Sequence, residues 1–457
     1  MHTDSNYSLL LTLFQLTNVF FAFAFGACVG SLTNVLVYRI PMGLGVVTPP
    51  SRCPSCETRL TWSENIPVIG WIFLGGKCRF CRARVSAEYP MVEALVGLLF
   101  AAIYLKLYSE GPFLGIPFEK LEPAWAWAGF SLTWPILIGV LTLFSCLTAA
   151  TLIDARTFQI PLIFTWIPAM TALVAHPLSY VLGERSQYSG LGRFARGWDW
   201  VIASPGPHGW GWVGASLGGI AGLAVSLICL RFGLIKRSFF DYEEWLHSTR
   251  NTPALANQTP EEGATPQPVD QPAPGTEPHM WLEYPHARRE MLRELIFLSP
   301  CIGLALAGAA LAIRFGAPWT YDAMTFEAVP ATQVPGWLNV VAAVCLGYLI
   351  AGGVVWAARI LGTLAVGREA LGLGDVHLMA AVGAMLGWTT GVLGFFAAAF
   401  VGVFWTFAAR LFTGTLQRQM PFGPYLAIGT FLVWYFQPGL ERLLGLIFRL
   451  GGPFPLP

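Results

Sequence analysis

Charge is what this chain has least of. Only 12% of its 457 residues are charged, and 27 Lys and Arg nearly cancel 26 Asp and Glu, leaving a formal net charge of +1. A soluble domain carries about twice that share of charge, and a nucleic-acid partner calls for a basic field that is missing here. No repeat of fixed period and no sustained heptad is visible, so neither a solenoid nor a coiled coil is expected. The first apolar stretch, Leu9 to about Val37, has no basic leader before it and outruns a signal-peptide core. It is therefore read as a retained transmembrane helix.

What replaces charge is apolar surface: 55% of the residues are hydrophobic, with 18 Trp and 32 Phe. The bilayer is then the solvent. Apolar runs long enough to cross it lie near 9–37, 90–107, 131–153, 160–182, 211–235, 294–315, 338–364 and 391–412. Shorter candidates lie at 376–388, 421–436 and 439–450. The expected fold is an all-α polytopic membrane protein, a bundle of roughly eight to eleven transmembrane helices with a small cytoplasmic zinc-binding insertion.

Sidedness follows from the segment Arg39 to Tyr89, where Arg39, Arg52, Arg59, Lys77, Arg79, Arg82 and Arg84 face only Glu57, Glu64 and Glu88. Such an excess marks the cytoplasmic side. Alternating the spans then puts Asp154, Lys236, Arg237, Arg288, Arg289 and Asp375 on that side too, and the weakly charged loop 109–130 outside. Thr249 to His279 is dominated by Pro, Thr, Gln, Ala and Glu, the composition of a disordered linker.

Four of the nine cysteines are paired in tight turns. Cys53-Pro-Ser-Cys56 and Cys78-Arg-Phe-Cys81, separated by 21 residues, have the spacing of two knuckles closing one tetrahedral Zn²⁺ site. Two disulfides or four free thiols are the alternative, which a reducing cytoplasm disfavours. A closed four-thiolate shell has no vacancy for water, so this zinc would hold a fold that has little core of its own. Cys28, Cys146, Cys229, Cys301 and Cys345 lie in apolar runs and read as small packing residues.

Two acids stand at the ends of apolar runs. Asp154 lies in Thr-Leu-Ile-Asp-Ala-Arg-Thr-Phe-Gln-Ile-Pro161, and Asp375 follows Gly372-Leu-Gly374. Carboxylates at that depth are costly unless they work or are paired. Two on one side suit an aspartyl dyad, in which one carboxylate takes a proton from water and its protonated neighbour polarises the scissile carbonyl. Glycines beside Asp375 would let backbone or an extended substrate approach. An isolated Asp at a helix start is, however, commonly an N-cap, and that reading stays open for both.

Taken together these residues resemble the type IV prepilin leader peptidases, bacterial membrane aspartyl proteases of the GxGD type. The resemblance is carried, in order, by Gly30 to Val35 with Tyr38 to Pro41, the cysteine quartet, Glu88-Tyr-Pro-Met-Val-Glu93, Leu152-Ile-Asp154, Gly372 to Asp375, and Pro421-Phe-Gly-Pro424. It implies removal of a short basic leader from type IV prepilins or type II secretion pseudopilins, on the cytoplasmic face of the bacterial inner membrane, with Asp154 and Asp375 catalytic. It also implies that the new N-terminus can be methylated from S-adenosylmethionine, through the region holding the cysteines; no cofactor-binding residue is identified. Partners would be these substrates and the lipid bilayer, with no nucleic acid.

Departures from the family pattern are His377 in place of a usual Lys, Leu162 in place of Asp or Asn, and Glu88 in place of Arg. A neutral His favours an ionised Asp375 less than an ammonium does, which bears on the pH optimum. The aspartates are 375 − 154 = 221 residues apart, beyond the family norm. The chain accordingly divides into a first transmembrane helix (1–37), a cytoplasmic zinc-binding domain (38–89), helices with the first aspartate (90–182), an insertion with two extra spans and the linker at about 249–279 (183–337), and helices with the second aspartate (338–457). Two added spans preserve sidedness. A cation transporter would show acids across a midplane and broken helices in repeated halves, and neither is found; a non-catalytic zinc-stabilised scaffold is the other alternative.

Overall fold

A computed structural model describes residues 2–48, 50–109, 129–185, 202–206, 208–242, 245, 286–315, 319–321, 328–413, 421–449 and 452. Helix dominates, because a backbone in lipid must satisfy its own hydrogen bonds. The helices are α1 (His2–Arg39), the short α2 (Ile69–Phe73), α3 (Glu88–Tyr108), α4 (Phe130–Thr157), α5 (Ile163–Arg185), α6 (Trp210–Arg231) and α7 (Ala287–Phe315). After them come α8 (Gly336–Val366), α9 (Leu373–Leu386), α10 (Trp388–Thr413), α11 (Gly423–Tyr435) and α12 (Gln437–Ile447). Between α7 and α8, β1 (Trp319–Tyr321) pairs antiparallel with β2 (Ala328–Pro330).

Among the described residues seven helices are long and apolar enough to cross a membrane: α1 from Thr12, α3, α4, α6, α7, α8 and α10. They occupy seven of the eight longer runs expected from the sequence. The eighth, 160–182, is α5, which carries Thr165, His176 and Ser179 into the interior. The shorter candidates are α9, α11 and α12, of 14, 13 and 11 residues. At about 1.5 Å per residue none reaches across a core roughly 30 Å thick. The linker expected at 249–279 lies outside the described residues, as does most of the loop 109–130.

Helix α9 is the centre of the bundle. From Val376 on, all its residues but His377 are buried, against α4, α5, α8 and α10. Small residues make this possible: a Cβ on Gly347 of α8 would stand 2.0 Å from the Gly383 carbonyl oxygen of α9. The His176 imidazole adds a polar tie, with Nε2 3.0 Å from the Met385 carbonyl oxygen.

The two extra spans, α6 and α7, form an antiparallel hairpin. Gly214, Gly218 and Gly222, one turn apart, face the backbones of Gly308, Leu304 and Pro300, where Cβ atoms would approach carbonyl oxygens to 2.2, 2.1 and 2.3 Å. This is small-residue packing of the kind that joins helices where lipid offers no hydrophobic drive. Helix α7 begins seven residues before the apolar run at 294–315, because its charged first turns, Arg288 to Glu294, are helical too.

Of the five cysteines outside the quartet, Cys146 and Cys345 are core residues, whereas Cys229 and Cys301 are half-buried and Cys28 is exposed on α1. In a bilayer an outward face is also apolar, so a packing thiol need not be interior.

Candidate active site and metal centre

Asp154 is not an N-cap. It sits in the last turn of α4, which ends where Phe158, at φ 54°, donates its backbone N–H to the Asp154 carbonyl oxygen at 2.9 Å. Its carboxylate, 6% exposed, accepts the Gly423 backbone N–H at 2.9 Å. That donor belongs to the start of α11, and a Cβ on Gly423 would lie 2.7 Å from Asp154 Oδ2. The Pro421-Phe-Gly-Pro424 block thus has a physical reason: it brings an unpaired helix-start donor against a carboxylate.

Asp375 does act as a cap, from the third position of α9. Its Oδ2 accepts the Gly372 backbone N–H at 3.2 Å, as in a capping box. The carboxylate is nonetheless 6% exposed, and the start of its helix packs on the turn that follows Asp154. Gly374 permits this approach, since a Cβ there would be 2.9 Å from the Ile160 Cβ in the turn after α4. The structure therefore brings together two residues 221 apart in the chain, on facing helix ends.

A group the sequence reading did not single out supports the second aspartate. Arg359 of α8, 1% exposed, hydrogen-bonds both Glu294 carboxylate oxygens, with contacts of 3.0 to 3.2 Å, and pairs with Glu369 and the Leu371 carbonyl oxygen. Glu294 of α7 also accepts the Trp356 indole N–H at 2.7 Å, and the Phe239 ring lies 5.7 Å from the guanidinium. The segment 369–371 leads directly into Gly372 and Asp375, so Arg359 fixes the loop that carries the dyad. A signal existed: Arg359 is the lone charge inside the apolar run 338–364, and such a residue is a functional candidate by default.

The cysteines fold as two copies of one knuckle. Cys53 N–H donates to the Thr58 carbonyl and Glu57 N–H to that of Cys53; Cys78 N–H donates to Ala83 and Arg82 N–H to Cys78. Glu57 and Arg82, each just past the second cysteine, both turn through left-handed backbone at φ 55° and 56°. Bridges Arg52 to Arg59 and Lys77 to Arg84 close the two turns. All four sulfurs lie within 4.8 Å of one another, with Cys53 to Cys81 at 3.8 Å and Cys56 to Cys78 at 3.9 Å.

A tetrahedron with Zn–S bonds of about 2.3 Å has edges of about 3.8 Å, so the quartet fits zinc. The thiols are split by their surroundings: Cys56 is lowered to about 6, chiefly by its side-chain hydrogen bond with Thr58, and Cys78 is lowered, chiefly by the backbone of Cys81, whereas Cys81, against the lowering by the Ala83 backbone, is pushed up to about 11 by burial and the neighbouring sulfurs. Glu93 of α3 moors this domain to the bundle, accepting the Val68 N–H at 2.7 Å where Val68 is held at φ 62°. Glu88, at the departure from the family pattern, pairs with Arg156 two residues beyond Asp154.

Fold and site together define a polytopic helical membrane protein with a buried carboxylate pair and an N-terminal domain that can hold zinc. Residues 24–107 match the family model of the Bacterial Peptidase A24 N-terminal domain. The chain is similar to the prepilin leader peptidase/N-methyltransferase of Myxococcus xanthus, 36% identical over 163 residues, 36% of this chain and 41% of that relative. It is 33% identical over 147 residues to that of Klebsiella pneumoniae, 31% of this chain and 54% of the relative, and 41% identical over 100 residues to that of Bacillus subtilis, 21% and 40%. The matches thus span about half or less of these relatives' length. No solved structure matches the chain.

Proposed function

We propose that the protein is a membrane aspartyl endopeptidase that removes the leader from type IV prepilins or type II secretion pseudopilins, at the cytoplasmic face of the bacterial inner membrane. The observation that carries this reading is that Asp154 and Asp375, both buried, each accept a glycine backbone N–H at adjoining helix ends. The N-terminal family match and the printed names of the relatives support it.

In this mechanism one aspartate is ionised and takes a proton from water as the water oxygen attacks the scissile carbonyl carbon. The other, protonated, gives its proton to the carbonyl oxygen. The adduct then collapses: the C–N bond breaks, the departing amine leaves with the proton taken from water, and one hydroxyl of the adduct returns its proton to the second aspartate as the new carboxyl forms. Gly423 N–H and Gly372 N–H orient the two carboxylates, and Arg359 holds the loop of the second. Zinc, when bound by Cys53, Cys56, Cys78 and Cys81, supplies a closed structural shell, and no step passes through it.

Methylation of the new N-terminus from S-adenosylmethionine is a second activity that the relatives' names support; no residue here is assigned to it. The test is cleavage of a prepilin-like substrate in reconstituted membranes by the native protein, Asp154→Asn and Asp375→Asn. Cleavage by the native protein alone, with both variants folded, is expected. Cleavage by either variant, or none by the native protein, would replace the peptidase with the scaffold.

A further inference from the structure

A cavity of about 420 Å³ lies between the α6–α7 hairpin and helices α5, α8 and α9. Its walls are apolar, and it opens on the perimeter of the bundle, where Trp166 and Met170 of α5 are 46% and 53% exposed. It is a different place from the aspartate pair. Leu373, His377 and Ala384 face it along one side of α9, and Asp375, two residues on from Leu373, projects about 200° around the helix, toward Asp154.

One end is cationic. Lys236 and Arg237, just past α6, line the rim with Ser238, both cations are exposed, and neither has an ion-pair partner among the described residues. The third cation there, Arg293, is engaged by Glu290 at 2.9 Å and Asp241 at 3.1 Å. The lining acid, Glu294, is already held by Arg359 and Trp356. The rim therefore offers two uncommitted positive charges above an apolar cleft open to the membrane.

We propose that this cavity is a binding site for an anionic glycerophospholipid, with an acyl chain in the cleft between α5 and α6 and the phosphate at Lys236 and Arg237. Both halves of such a molecule have a counterpart: a volume within the range of ligand pockets for the chain, and basic side chains at the membrane surface for the head group. The site is independent of the peptidase reading, and its test does not use cleavage.

Native mass spectrometry of the full chain in detergent, titrated with phosphatidylglycerol or phosphatidylcholine, tests it. The native protein is expected to retain one phosphatidylglycerol in preference to phosphatidylcholine. Lys236→Gln with Arg237→Gln is expected to weaken retention about twenty-five-fold, at roughly fivefold per basic side chain. Ala224→Phe, which fills the cleft, should reduce retention of both lipids. Equal retention of the two lipids, an unchanged preference in the double variant, or one-for-one displacement of the retained lipid by an apolar peptide would each overturn the proposal.

Discussion

At Gly423 a single added carbon probes the dyad, because it would stand 2.7 Å from Asp154 Oδ2 and push the carboxylate from its backbone donor. Gly423→Ala is expected to lower kcat for leader cleavage by about a hundredfold, the usual cost of misplacing a reacting group by roughly 1 Å, with KM little changed; steady-state kinetics in proteoliposomes would show it. Arg359 poses the converse case, a charge whose loss strands others. Arg359→Met leaves Glu294 and Glu369 buried without their cation, so stability should fall by about 3–5 kcal/mol, measured as thermal unfolding in detergent. Adding Glu294→Gln and Glu369→Gln should recover most of that loss, since neutral groups need no counter-charge.

Between elements, contact rests on small residues and on metal. Gly218→Leu would drive a side chain into the Leu304 carbonyl of α7, and should destabilise the protein by about 1–3 kcal/mol as the hairpin parts. Chelating zinc should expose the knuckles to protease between Arg52 and Arg84 while far-UV circular dichroism keeps its helical signal, because the spans do not rest on the metal. A fall in helix content on chelation would show that they do. The long spans were legible because about twenty apolar residues admit few other structures, and the quartet because C-x2-C spacing is so constrained. The hairpin contact was written in the spacing of Gly214, Gly218 and Gly222, yet that spacing is also common in helices that touch nothing. The charged start of α7 was missed because hydropathy ends a span where charge begins, although the helix continues.

For the whole molecule, the meeting of Asp154 and Asp375 was legible only as a parity: an even number of added spans returns the chain to the same side. What no local pattern carries is that the insertion is built into the site's support, through Glu294 to Arg359 and on to Leu371. Replacing 202–331 by a short linker should therefore not give a minimal peptidase but a chain that fails to accumulate in membranes. The same deletion with Arg359→Met and Glu369→Gln, which leaves neither charge of the remaining pair stranded, is expected to restore accumulation, scored by monodisperse protein after extraction.

Arg359 also has a place in time. Glu294 precedes it by 65 residues, which at about 5–20 residues per second leaves the ribosome roughly three to thirteen seconds ahead. The carboxylate is thus already made when the guanidinium emerges, and a partner for the most costly side chain of α8 exists before that helix is complete.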